Sequence, residues 1–117
     1  MNDEAELMRQ LDIQLSHIWM VRTFLKHSDE AEEDEELALV HRRLYDFSLA
    51  LGSHLSAGDA EGYLRQAKKK WRRLREAGEL FTEIQPEISN HTNFKMAAMS
   101  LQKAISEIGR LLRKNED

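Results

Sequence analysis

Residues 64–81 read LRQAKKKWRRLREAGELF, and their apolar or small positions recur at alternating steps of three and four. Such steps place the positions on one side of an α-helix, as antiparallel helix packing requires. A strand would instead show a period of two. The stretch therefore predicts a long amphipathic helix whose buried seam comprises Leu64, Ala67, Trp71, Leu74, Gly78 and Phe81.

The rest of the chain repeats this helical period in three further segments. The first predicted helix extends from about Asp3 to His27, and the second from about Asp34 to Leu55, after an acidic turn. The last follows the cap-rich segment 89–93 and ends near residue 114.

The third predicted helix begins after Asp59, a plausible N-cap, and is expected to end at Pro86, because the residue before a proline avoids the α region. Glycines 52, 58 and 62 are expected to loosen the connection before it. Four segments of similar length, with no strand pattern between them, predict an all-α fold: an antiparallel up-and-down four-helix bundle, with residues 1–117 as one domain.

The composition narrows the classes of function. The chain has no cysteine, which excludes disulfides, thiolate catalysis and cysteine-type zinc sites. The N-terminal segment is acidic where a secretory signal would be basic, and the longest apolar run is only residues 18–21. A net charge of −4 gives no general attraction to nucleic acid or anionic membranes. We therefore expect a cytoplasmic protein with no nucleic-acid or membrane partner.

Helical bundles often hold metals, and a di-iron site of that kind uses Glu-x-x-His pairs. No histidine here has an acid three residues before it; the preceding residues are Gln14, Phe24, Ala38, Leu51 and Ile88. There is also no Gly-x-Ser-x-Gly elbow and no glycine-rich phosphate loop. The sequence predicts no cofactor and no metal, and it favours a non-enzymatic role.

A basic run lies along the third predicted helix. It holds seven of the seventeen cations, Arg65, Lys68, Lys69, Lys70, Arg72, Arg73 and Arg75. A solvated face with weak ion pairs is the ordinary interpretation. An acidic protein partner is a second interpretation, and contact with a phosphate backbone is a weaker third, because Trp71 belongs to the buried seam.

A polar layer is predicted where the first two helices face each other. If the chain reverses near Ala31, Arg22 and His41 project from apolar faces at similar height, and a carboxylate or a carbonyl should lie near the arginine, with Asp46 as one candidate. This layer either fixes helix register or forms a small-ligand pocket with a titrating histidine. The candidate residues are His17, Arg22, His41, Tyr45 and Asp46.

The first two helices also carry more apolar width than one core needs. The excess residues are Trp19, Met20, Phe24, Leu39 and Leu49. We expect them to form a homodimer interface that buries about 1,200–2,000 Å² in total. The leading hypothesis is therefore a self-associating helical interaction module, and the ligand or enzymatic pocket is the alternative.

Overall fold

The computed structural model describes residues 3–115, which are almost entirely helical and include no strand. The five helices are α1 Asp3–Lys26, α2 Asp29–Glu33, α3 Glu35–Ser56, α4 Ala60–Ile88 and α5 Thr92–Asn115. The all-α prediction is confirmed. The predicted ends of α1 and α3 agree with these bounds to within a residue or so, and the acidic turn is itself the short helix α2.

Side-chain caps fix three of the helix starts. The Ser28 hydroxyl accepts a hydrogen bond from the Ala31 amide at the start of α2, and Asp34 caps α3 in the same way. Asp59 caps α4 by accepting from the Gly62 amide. Each cap satisfies an amide that the helix itself leaves without an acceptor. Asp59 is therefore an N-cap, as predicted.

Two expectations about helix breakers are wrong. Pro86 lies inside α4, which ends two residues later at Ile88. Thr82 and Pro86 are both exposed, so water can replace the missing proline N–H at this edge of the helix. Gly52 and Gly62 are helical, and only Gly58, with φ of 66°, provides the turn between α3 and α4.

The four long helices pack side by side along a body measuring 47 × 24 × 20 Å. α3 packs on α4, α4 on α5, and α1 on both α5 and α3. A single cluster of buried residues connects all four. The 29-residue helix α4 accounts for the long dimension, because it is about 43 Å long at 1.5 Å per residue.

The predicted seam of α4 lies in this core. Leu64, Ala67, Leu74, Gly78 and Phe81 are buried, and Trp71 is half-buried against the cluster. α4 and α5 approach closely at two glycines. An added Cβ would lie 2.5 Å from Ile105 Cδ1 at Gly78, and 2.6 Å from Trp71 Cζ2 at Gly109.

Candidate functional site

A largely apolar groove of about 650 Å³ lies between α1 and α3. We call it the α1/α3 groove. Large apolar or aromatic side chains and small residues line it, with one charged residue. The lining residues are Asp12, Leu15, Ser16, Trp19, Met20, Tyr45, Ser48, Leu49, Gly52, Ser53 and Ser56.

Three of the large side chains that line the groove are substantially exposed. Trp19 is 43% exposed, while Met20 and Leu49 are 64% and 63% exposed. The ring centroids of Trp19 and Tyr45 lie 6.4 Å apart, so the two aromatics span the groove between α1 and α3. The structure thus brings together three of the five predicted interface residues.

Small residues of α3 line another part of the groove. Ser48, Gly52 and Ser56 recur every four residues and so share one side of α3. The Ser48 hydroxyl is already bonded to the Leu44 carbonyl. A Cβ added to Gly52 would meet nothing within 4 Å, so the space above this residue is open. This row was missed in the sequence, although its i, i+4 spacing was visible.

Asp12, the one acid that lines the groove, is hydrogen-bonded to a core residue. The buried Tyr63 hydroxyl donates to Asp12 Oδ1 at 3.2 Å. Burial first, and then the neighbouring Asp12 carboxylate, raises the pKa of Tyr63 well above its ordinary value, which keeps this donor protonated. The groove therefore presents no charged group without a bonding partner.

Arg22 lies beneath the aromatic pair and is only 7% exposed. Its guanidinium carbon sits 3.8 Å from the centroid of the Trp19 ring and 5.5 Å from that of Tyr45. Nη2 donates to Thr23 Oγ1 at 3.1 Å, while the buried Nε has no hydrogen-bond partner. The ring faces partly replace the counter-charge that a buried cation ordinarily needs.

Among the described residues, no acid forms an ion pair with Arg22. Asp46 is exposed and lines a different groove, between α3 and α4, together with Arg43, Lys70 and Arg73. No ion pair or hydrogen bond joins Asp46 to Arg22 in the part of the chain that is described. The register prediction expected an acid or a carbonyl beside the buried arginine, whereas two aromatic rings lie beside this one.

His41 is half-buried, and its Nε2 atom is buried without a partner. Burial first, and then the positive charges of Arg22, Lys26 and Arg42, lower the pKa of His41 below its ordinary value. The histidine is therefore close enough to Arg22 for the arginine charge to act on it. His17 is exposed and Tyr45 faces the α1/α3 groove, so the five pocket candidates do not enclose one cavity.

The two other interface candidates lie elsewhere. Phe24 is half-buried and meets Phe94 of α5 edge-on, with ring centroids 4.9 Å apart. Leu39 is 43% exposed but lines a third groove, between α3 and α4. Further exposed apolar residues that the sequence interpretation did not assign to a surface are Ile13, Met96 and Met99.

The basic run forms an exposed side of α4, apart from the half-buried Lys70. Two of its arginines pair along the helix, Arg72 with Glu76 at 3.7 Å and Arg75 with Glu79 at 3.4 Å. These i, i+4 pairs are solvent-exposed and contribute little to stability. Both of these pairs join residues of α4 itself.

Comparison with known proteins adds no family to this description: the chain matches no protein-family model, no curated protein and no solved structure. Within residues 3–115, no three His, Asp or Glu side chains converge as a metal would require. None of the helices described there combines the length and the apolar character needed to cross a bilayer.

Proposed function

We propose that this protein is a non-enzymatic helical interaction module that associates with a second copy of itself through the α1/α3 groove. The observation that carries the proposal is the gathering of Trp19, Met20 and Leu49, all substantially exposed, in one apolar groove. Apolar surface of this kind gains free energy when a partner removes it from water.

The scaffold in this proposal is an antiparallel up-and-down bundle of α1, α3, α4 and α5. Its support is that long helices consecutive in the chain pack on each other and that residues 57–59 and 89–91 connect them tightly. Short connections favour antiparallel neighbours. Such a scaffold leaves one long side of the α1 and α3 pair without a covering helix.

The dimensions suit a dimer. A long face of the molecule measures 47 × 24 Å. Covering most of such a face would bury close to the ~800 Å² per partner that a standard interface needs. The single charge among the eleven groove residues also fits, because interface centres are depleted of charge.

The experiment is a mass measurement in solution on a matched pair of variants. Met20 and Met99 are both 64% exposed, but only Met20 lines the groove. We expect the wild-type protein and Met99→Asp to be dimers by light scattering or sedimentation, and Met20→Asp to be a monomer with an unchanged helical spectrum. A wild-type protein that stays monomeric at high concentration would disprove the proposal.

A small-ligand site around Arg22 and His41 is the second candidate function. Its specific support is that Arg22 Nε and His41 Nε2 are both buried without partners. A carboxylate could bond to both nitrogens if the Trp19 ring, which covers the guanidinium, moved aside. The test is thermal unfolding with a series of alkyl carboxylates. Ligand-dependent stabilisation of wild type that is absent in Arg22→Met would support this site.

A further inference from the structure

We propose that the α1/α3 groove is self-complementary: in a two-fold dimer, Trp19 of each copy packs over the Gly52 surface of the other. The proposal rests on the proposed function and specifies its partner and register. It makes the exposed indole and the open space above Gly52 two halves of one contact.

Two features of the groove carry this proposal: an exposed tryptophan ring and open space above a glycine. Trp19 is 43% exposed on the α1 side, and on the α3 side nothing lies within 4 Å of a Cβ placed at Gly52. A groove of about 650 Å³ has room for an indole ring. Buried tryptophans of this kind are common energetic centres of interfaces.

A two-fold axis can exchange the positions of Trp19 and Gly52. Trp19 lies at the level of Tyr45, and Gly52 is seven residues further along α3, which is about 10 Å on a helix. An axis that lies in the plane of the interface, passes through the midpoint between Trp19 and Gly52 and is perpendicular to the line joining them exchanges these two positions and turns the second copy to face the first. It therefore brings Trp19 to the partner subunit's Gly52, and the reverse contact follows from symmetry.

Charge favours a second copy over another class of partner. A two-fold contact places like charges near each other, and this groove carries only Asp12, whose carboxylate accepts a bond from Tyr63. An acidic peptide or a nucleic acid would need exposed cations. No lysine or arginine is among the described residues that line the groove, and Arg22 beneath Trp19 is only 7% exposed.

The test uses two defective variants that should repair each other. Trp19→Ala removes the exposed ring, and Gly52→Leu fills the open space above the glycine. Each variant alone should dimerise at least about thirtyfold more weakly than wild type, as for a central interface residue. Mixed together, they should form a heterodimer of near wild-type affinity. One of its two contacts keeps the native tryptophan over the native glycine, and the other sets the introduced alanine against the introduced leucine.

Native mass spectrometry of one tagged and one untagged variant measures the heterodimer directly. Ala38→Leu, an exposed small-to-large change on α3 outside the lining of the groove, is the control and should dimerise like wild type. Circular dichroism of every variant checks that the fold is intact; Gly52→Ala replaces Gly52→Leu if the latter is misfolded.

The outcomes separate the two proposals. A monomeric wild type overturns both. If wild type dimerises, and folded Trp19→Ala and Gly52→Leu dimerise equally well, the two-fold contact is overturned and self-association stands. If both variants weaken the dimer but their mixture yields no heterodimer, the residues belong to the interface in a different register, which also overturns the contact.

Discussion

The two tryptophans of this chain lie in opposite environments: one packs on a helical glycine, and the other lines a groove in which a helical glycine is left uncovered. On the α4–α5 side, Trp71 packs so tightly over Gly109 that a Cβ there would lie 2.6 Å from its ring. On the α1–α3 side, Trp19 is 43% exposed and Gly52 has open space above it. A tryptophan and a glycine thus pack on each other between α4 and α5, whereas the tryptophan and the glycine on the α1–α3 side are left uncovered.

The difference follows from what lies opposite each glycine. A glycine in a helix costs stability, and a close approach of another element can repay this cost. Gly109 permits such an approach between α4 and α5. Among residues 3–115, Gly52 has no neighbour that uses its small size, which is why we look for one in a second copy.

Removing each tryptophan should give the largest contrast. Trp71→Ala creates a cavity between α4 and α5 and should lower the free energy of unfolding by about 3 kcal/mol. Trp19→Ala removes a partly solvated ring and its contact with Arg22, so the folded monomer should lose no more than about 1 kcal/mol. Denaturant unfolding at low protein concentration measures both.

Equal losses for the two tryptophan variants would contradict the contrast between a closed and an open side. The low concentration matters, because any dimer contributes to apparent stability by mass action.

The two glycines should respond with opposite signs. Gly109→Ala forces the Trp71 ring to move and should cost about 1–3 kcal/mol, as overpacking does. Gly52→Ala meets no atom and improves helix propensity, so it should stabilise the monomer by about 0.5–1 kcal/mol. Chemical unfolding curves decide the signs, and a loss of stability in Gly52→Ala would show that its surroundings are not open.

The sequence predicted the parts of the fold that local physics determines. The α4 seam and the Asp59 cap depend on spacing and on short-range hydrogen bonds, which are visible in one chain segment. The continuation of α4 through Pro86 was not predictable from the proline rule, because it depends on exposure at that edge of the helix.

The candidate site was only half predictable, because it depends on relations between helices. Apolar width on α1 pointed to Trp19 and Met20, and the structure does place them in one groove. The small-residue row at Gly52 and the position of Arg22 between aromatic rings require the side-chain packing of α1 on α3. Charge pairing alone suggested Asp46 instead, which lies in a different groove.

Arg22 offers a sharper test of the open side. An arginine paired with a buried acid would cost about 3–5 kcal/mol on removal, because the acid is left unpaired. No acid in residues 3–115 pairs with Arg22, so Arg22→Ala should cost only about 1–2 kcal/mol through lost packing and ring contact. Arg22→Met keeps the stem and removes a buried charge, and should equal wild type or exceed it.

Urea unfolding measures the free energy of unfolding of the two Arg22 variants. Lys69→Ala, an exposed substitution on α4, is the control. A loss of about 3 kcal/mol or more in Arg22→Met would mean that the guanidinium has a strong acceptor after all.

The smallest expected effect is a pH dependence at His41, on the same side of the molecule. Its pKa lies below the ordinary value of 6.5, through burial first and then the charges of Arg22, Lys26 and Arg42. Near that value the unfolded chain therefore binds more protons than the folded one, so stability rises with pH. The contribution is complete above about pH 6.5 and is lost as the pH falls toward the lowered pKa.

His41→Gln should flatten the dependence of stability on pH between about pH 7 and 5, whereas His17→Gln, an exposed control, should leave the wild-type slope. Arg22→Met should also reduce the slope, since it removes one of the cations that lowers the histidine pKa. Identical slopes in wild type and His41→Gln would mean that His41 ionises as freely in the folded protein as in the unfolded chain.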